Sequence, residues 1–176
     1  MPSIMPTARG RVMSTHCFVD SDHVGDKVTR RSQTGILIFC NTAPIMAYSK
    51  RQNSVVEEST YGSELVAMRQ AIDLVKGLRY KLRMFGIPTE GPTDVFCDNE
   101  SVYKNVSVPE SVESKKQHSI SYHAARESIA AGGIVRIAKE NTLTNLSDVF
   151  TNTQNKPKRE GLLDKATKSM CERYER

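Results

Sequence analysis

The sequence predicts an α/β domain with a five-stranded mixed sheet, its first three strands antiparallel and helices packed on it. Three observations lead there. Three strand-like runs joined by turn residues come first, one long stretch of helical periodicity follows, and two further strand-like runs then alternate with short helices, in the order β-β-β-α-β-α-α-β-α. At 176 residues, 38% hydrophobic and 26% charged, the chain has material for one core and little room for a second.

The opening "MPSIMPTARGRVM" has two prolines and no continuous apolar run, so residues 1–13 are expected to be a flexible head before a domain over 14–152. "THCFVD" (15–20) alternates as a strand does and runs into "SDHVGDKVTRRSQ", a polar loop with a basic cluster. "TGILIFC" (34–40) is β-branched and apolar, "NTAP" is a turn, and "IMAYSKR" (45–51) is the return strand. Leu65, Met68, Ile72, Val75, Leu78 and Leu82 then recur at steps of three and four, which predicts a helix starting near Ser59 or Thr60 and stopped by Gly86 and Pro88. "TDVFCD" (93–98) is the fourth strand, "NESVYKNV" a short helix, and "VPESVESKK" a loop around Pro109. A helix over about 119–131 is expected with Ile120, Ala124, Glu127 and Ala131 in one row, then a fifth strand over 132–140 and a short helix over 142–150. The charged tail, 153–176, reads as a surface helix or a disordered end.

A formal net charge of +5 and a pI near 9.1 fit a polyanionic partner, and equally fit a solvated basic surface. Cys17, Cys40, Cys97 and Cys171 lie far apart with no C-x-x-C pair, so they read as reduced and structural, and no Cys/His spacing fits zinc. No run approaches the roughly 18 apolar residues of a membrane span. An intracellular, soluble chain is expected, or a piece of one.

Strand parity singles out the acids. Phe18 and Asp20 share one face of the first strand, and Phe96 and Asp98 share one face of the fourth, each with the aspartate toward the carboxyl end. Ligands of open α/β sheets bind outside those ends, and two neighbouring aspartates there repel unless a cation joins them. Glu64 adds a third carboxylate, four residues before Met68 in the sheet-facing row, and Asp148 a fourth, in a short helix anchored by Leu143, Leu146, Val149 and Phe150. Singly, each has an ordinary reading: Glu64 or Asp148 as a surface acid near a helix end, Asp98 as the cap of the following helix. Together they form the hard oxygen donor set that Mg²⁺ requires.

The blocks "CFVDSDHVGDKVTRRSQTGILIF", "APIMAYSKRQNSVVEESTYGSELVA", "GLRYKLRMFGIP", "VFCDNESV", "YHAARESIAAGGIVRIAKE" and "TNLSDVFT" resemble the ribonuclease H domain that ends the Pol polyprotein of Ty1/copia-type retrotransposons. The resemblance runs from about Thr15 to Asp148 and implies a ribonuclease H-like fold. It also implies an endoribonuclease that cuts the RNA strand of RNA/DNA hybrids with two Mg²⁺ ions, or Mn²⁺. One ion would orient and deprotonate water for in-line attack, and the other would stabilise the departing 3′ oxygen. By motif position the implied metal ligands and catalytic residues are Asp20, Glu64 in "GSELVA", Asp98 in "FCDN" and Asp148 in "NLSDVF". Asp22, the second acid of "DSD", is the alternative to Asp20. The implied partners are the hybrid and the reverse transcriptase region of a parent polyprotein. A monomer is expected for the isolated domain, in a cytoplasmic virus-like particle or the nucleus.

For substrate contact, Arg30 and Arg31 in "TRRSQTG" and Lys50 and Arg51 in "SKRQ", placed in loops flanking the antiparallel strands, are the candidate phosphate ligands. Asn99 and Glu100 are placed to face the RNA strand. Three positions depart from the family pattern: Glu100 stands where glutamine is common, Ala47 where tryptophan is usual, and Asn152 where lysine commonly follows. The Glu100 change puts an anion near phosphate, and the Ala47 change removes a packing unit worth roughly 3 to 5 kcal/mol if buried. They leave open a non-catalytic, decayed nucleic-acid-binding domain and, as a second catalytic reading, a nuclease or transposase of the same fold. His23 is placed to reach a phosphate or metal-bound water, and His123 is expected to be packed or hydrogen-bonded.

Overall fold

The computed structural model describes residues 7–23, 29–52, 59–108, 116–131, 133–142 and 144–151, together with 161 and 164. Its elements are β1 (Thr15–Asp22), β2 (Gln33–Cys40), β3 (Ala43–Arg51), α1 (Thr60–Met84), β4 (Thr93–Cys97), α2 (Glu100–Ser107), α3 (Lys116–Ala130), β5 (Val135–Lys139) and α4 (Asp148–Thr151). The sheet order is β3-β2-β1-β4-β5. β1, β2 and β3 pair antiparallel, whereas β1, β4 and β5 run parallel, so the expected mixed α/β sheet is what the chain builds.

Each face of the sheet has its own core. Cys17, Val19, Ile36, Ile38 and Val95 meet Leu65, Met68, Ile72 and Val75 of α1 on one side, with Tyr122 and Ala125 of α3 in the same cluster. Phe18, Leu37, Phe39 and Leu146 form a smaller cluster on the other side, where Phe96 and Phe150 pack against them. The alternation of β1 and β2 divides their residues between these clusters, as the period of two requires.

α1 begins at a capped turn: the Ser59 side chain accepts from the Gly62 N–H at 3.2 Å. It ends where Gly86 takes a left-handed φ of 72°, with the Gly86 N–H on the Arg83 carbonyl and the Ile87 N–H on the Leu82 carbonyl. That pattern is the Schellman stop a glycine permits.

Several expected boundaries shift. β1 continues two residues past Asp20, because Ser21 and Asp22 pair with Thr34 and Gln33. Lys50 and Arg51 lie inside β3 and not in a loop, since they pair with the same two residues from the other side. α3 starts at Lys116 and buries Tyr122, Ala125 and Ser128, leaving Ile120 71% exposed, so the row drawn through Ile120 faces outward. β5 is Val135–Lys139, and α4 is a single turn that starts only at Asp148. Ala47 lies on an exposed stretch of β3, so the packing cost of a buried position does not apply there. Leu143, Pro109, Asn152, Cys171 and, but for 161 and 164, the tail expected over 153–176 lie outside the described residues. Cys17, Cys40 and Cys97 are free thiols, the first and last buried. Among the described residues no helix is long and apolar enough to cross a membrane.

Candidate active site

Four elements deliver acids to the carboxyl end of the sheet. Asp20 comes from β1, on the face where Phe18 stacks on Phe96 with ring centroids 4.9 Å apart. Asp98 is the first residue beyond β4, the parallel neighbour of β1. Glu64 projects from α1, one turn past its start, on the opposite face. One carboxylate oxygen of each of Asp20, Glu64 and Asp98 lies within 4.8 Å of the others. Asp148, the first residue of α4, does not join that group, although its charge reaches Glu64. Asp22 is not in the group either.

The helix-cap reading of Asp98 is corrected by its neighbour. The Asn99 side-chain oxygen accepts from the Ser101 and Val102 N–H groups at 3.0 and 3.1 Å, so Asn99 caps α2 and Asp98 is released for other work. Thr142 and Asn145 side chains hydrogen-bond Asp98 instead.

Asp20 and Glu64 are each only 6% exposed. Burial, then the charges of Asp20, Asp98 and Asp148, push the Glu64 carboxyl well above its ordinary range, against a lowering hydrogen bond from the Ser21 backbone. Asp98 and Asp22 are raised too, first by burial and then by Asp20. No ion pair among the described residues reaches Asp20, Glu64 or Asp98. Clustered carboxylate oxygens, two of the three groups buried and none with a side-chain cation among the described residues, are the donor set a hard divalent ion fits.

A pH dependence follows from these directions. A carboxyl whose folded pKa is raised binds more protons folded than unfolded, so the fold loses stability as pH climbs from the ordinary carboxylate value through the raised one. In chelator, the thermal midpoint of the chain is expected to fall as pH rises from about 5 to 8, and excess divalent cation is expected to cancel the fall. A midpoint rising across that window would contradict the cluster's electrostatics.

Residues that the periodicity did not single out hold this geometry. Gln52, buried, donates to the Ser63 carbonyl at 2.9 Å and to Thr34 at 3.0 Å, tying the start of α1 to β2 beside Glu64. Asn145, fully buried, donates to the Val19 carbonyl at 3.1 Å and accepts from Ser147 at 2.6 Å, fixing the turn before α4 to β1. The Thr151 hydroxyl donates to the Asp20 carboxylate. Gly35, opposite Asp20 in the β1–β2 register, leaves the space in which α4 sits. A glycine inside a strand pattern is the one sequence signal that pointed to such a close approach.

The candidate substrate residues divide into three groups. Lys50 and Arg51 are exposed on β3 at the sheet end that carries Asp20, two strands across. Arg30 and Arg31 are exposed in the segment leading to β2, Arg30 with a left-handed φ of 57°. Glu100 is exposed and engaged: one oxygen meets Lys104 Nζ at 2.7 Å and the other meets Lys139 Nζ at 2.9 Å, and these lysines hold its carboxyl down at about 2. His123 is exposed, with its ring 5.2 Å from that of Tyr122, so it is not the packed residue expected. His23 Nδ1 is buried without a hydrogen-bond partner among the described residues.

A five-stranded β3-β2-β1-β4-β5 sheet with helices on it, and acids converging where β1 and β4 end, is a ribonuclease H-like fold. In sequence the chain is similar to the retrovirus-related Pol polyprotein from transposon RE1 of Arabidopsis thaliana, 27% identical over 143 residues, which are 81% of this chain and 10% of that protein. The chain therefore spans about a tenth of the length of the curated relative. The resemblance to a retrotransposon Pol ribonuclease H domain is thus supported from sequence and fold alike. No family model matches the chain. Among solved structures, the N-terminal RNase H domain of Mycobacterium tuberculosis rv2228c, fused to maltose-binding protein, has a TM-score of 0.60 at 11% identity, covering 89% of this chain and 98% of that one. LC11-RNase H1, solved in complex with an RNA/DNA hybrid, has a TM-score of 0.60 at 12% identity, covering 87% and 99%.

Proposed function

We propose that this chain is a divalent-metal-dependent endoribonuclease that hydrolyses the RNA strand of RNA/DNA hybrids, acting within a retrotransposon Pol polyprotein beside its reverse transcriptase. The observation that carries this reading is the convergence of Asp20, Glu64 and Asp98 within 4.8 Å, with two of the three buried. Asp20, Glu64, Asp98 and, from α4, Asp148 are the residues that would hold two Mg²⁺ or Mn²⁺ ions. When bound, such ions polarise the phosphoryl group and lower the pKa of an attacking water. The chain's own residues set the geometry: Thr151 orients Asp20, Gln52 and Ser21 hold the Glu64 turn, and Thr142 and Asn145 hold Asp98. No side-chain nucleophile is required.

Lys50, Arg51, Arg30 and Arg31 supply positive charge for the hybrid's phosphates. LC11-RNase H1 was solved on an RNA/DNA hybrid with the same fold, which favours that substrate class here. Two of the three departures that favoured a decayed domain lose force, since Ala47 is exposed and Glu100 is paired with two lysines. The test is cleavage of an end-labelled RNA/DNA hybrid with Mg²⁺, beside Asp98→Asn. The wild type is expected to cut the RNA strand and the variant to lose about 10³-fold in rate, several kcal/mol of transition-state stabilisation. Equal rates would remove Asp98 from the mechanism; cutting of duplex DNA with the hybrid intact would move the chain to another nuclease class.

A further inference from the structure

We propose that Lys139 is a phosphate-binding residue that seats the substrate strand beside the acidic site, and that Glu100 acts as its orienting partner. The inference rests on the ribonuclease reading above and adds to it a residue that motif position did not assign. Lys139 is the last residue of β5 and pairs in register with Cys97, immediately before Asp98. It shares with Asp98, Glu140, Asn141 and Thr142 the lining of a recess of about 460 Å³, large enough for a nucleotide unit.

Of the charged groups lining the recess, Asp98 belongs to the carboxylate cluster, and the Glu140 carboxylate is engaged by the Thr144 hydroxyl. Lys139 contributes the positive charge. A phosphodiester entering beside Asp98 needs a cation on its far side, because the carboxylates repel it. An ammonium has three donors, and only one is needed for Glu100, leaving two for phosphate oxygens.

Glu100 accounts for why a long, half-exposed lysine is held there. Its two oxygens take Lys139 and Lys104 separately, at 2.9 and 2.7 Å, so the three side chains form one fixed group with a net charge of +1. The anion that stands in place of an amide therefore does not present an unpaired negative charge to the substrate. Lys104 belongs to the same group but is not among the recess-lining residues. That difference makes it the internal control.

The experiment is fluorescence anisotropy of a labelled RNA/DNA hybrid titrated with the full chain in chelator, repeated across salt concentrations, and followed by steady-state cleavage with Mg²⁺. Lys139→Gln is expected to weaken binding about five- to tenfold near 0.1 M salt and to flatten the log K against log salt slope by about 0.7 to 0.9, the signature of one lost phosphate contact. KM should rise in step with kcat nearly unchanged, because a phosphate contact is made equally in the ground and transition states. Lys104→Gln should flatten the slope by less than half as much, and the Lys139→Gln step should shrink in a Glu100→Gln background. An unchanged slope in Lys139→Gln, or an equal effect from Lys104→Gln, overturns the assignment. A wild-type chain that neither binds nor cuts the hybrid overturns the ribonuclease reading itself.

Discussion

Glu64→Gln is expected to raise the thermal midpoint of the metal-free chain at neutral pH while abolishing hybrid cleavage. The carboxyl is 6% exposed, and burial followed by three neighbouring aspartates holds its pKa well above the ordinary range. Near pH 7 the folded chain must either keep that group protonated or bear its charge beside Asp20 and Asp98, whereas the unfolded chain ionises it freely. Glutamine removes the conflict at almost the same volume. Its carbonyl still accepts the Ser21 backbone bond, and its NH₂ offers donors to the two aspartates. A gain of about 1 to 2 kcal/mol, roughly 2 to 8 °C for a chain of this size, is the expected scale. The same change removes one ligand of the proposed metal site, so cleavage should fall by about 10³-fold, and the midpoint shift on adding Mg²⁺ should shrink. Scanning calorimetry with and without chelator, beside the cleavage assay, checks both halves. A less stable variant would show that Glu64 is held by its fold contacts rather than strained by its neighbours.

The difference between what could be read from sequence and what could not follows the range of the interactions. Strand parity depends only on local geometry, so it placed Phe18 with Asp20 and left Cys17 and Val19 for the opposite core. The period of α1 puts Glu64 in the buried, sheet-facing row near the start of the helix for the same reason, although one turn further in than its first. The alternative reading of Asp98 as a helix cap misses the true cap by one residue. Asp98 and Asn99 are both good caps, and only the backbone at Asn99 and its two accepted bonds decide between them. Ile120 was placed in the wrong row of α3 because the helix offers two competing faces, and contact with α1 buries the one carrying Tyr122 and Ala125. The Glu100–Lys139 pair is 39 residues apart in sequence and depends on the β4–β5 register, which no local pattern encodes. The cost of Ala47 depends on whether the position is buried, and exposure is a property of the assembled sheet that no local pattern gives.

Gly35→Ala should be among the most damaging single-methyl changes in the chain. A Cβ there would lie 2.8 Å from the Ser147 carbonyl oxygen, 2.8 Å from Thr151 Cγ2 and 3.0 Å from Phe150 Cβ. Two of these belong to α4, and the Ser147 oxygen is backbone that accepts from the Phe150 N–H at 2.9 Å, so none is the loose end of a flexible side chain. The turn must move outward. It cannot move alone, because Ser147 is tied to Asn145, which holds the Val19 carbonyl, and Thr151 donates to Asp20. Displacing α4 therefore withdraws Asp148 from the site and loosens Asp20, while Leu146 and Phe150 lose packing against Phe18, Leu37 and Phe39. Overpacking of this kind costs about 1 to 3 kcal/mol, or a few degrees in thermal midpoint. Cleavage should fall further than stability does, by about 10²-fold at a temperature where the variant is fully folded, because a misplacement of about 1 Å at a catalytic group has that scale. Hybrid affinity in chelator, set by basic residues that lie outside α4, should change less than cleavage does. A variant as active and as stable as the wild type would show that α4 is not held against β2 at Gly35.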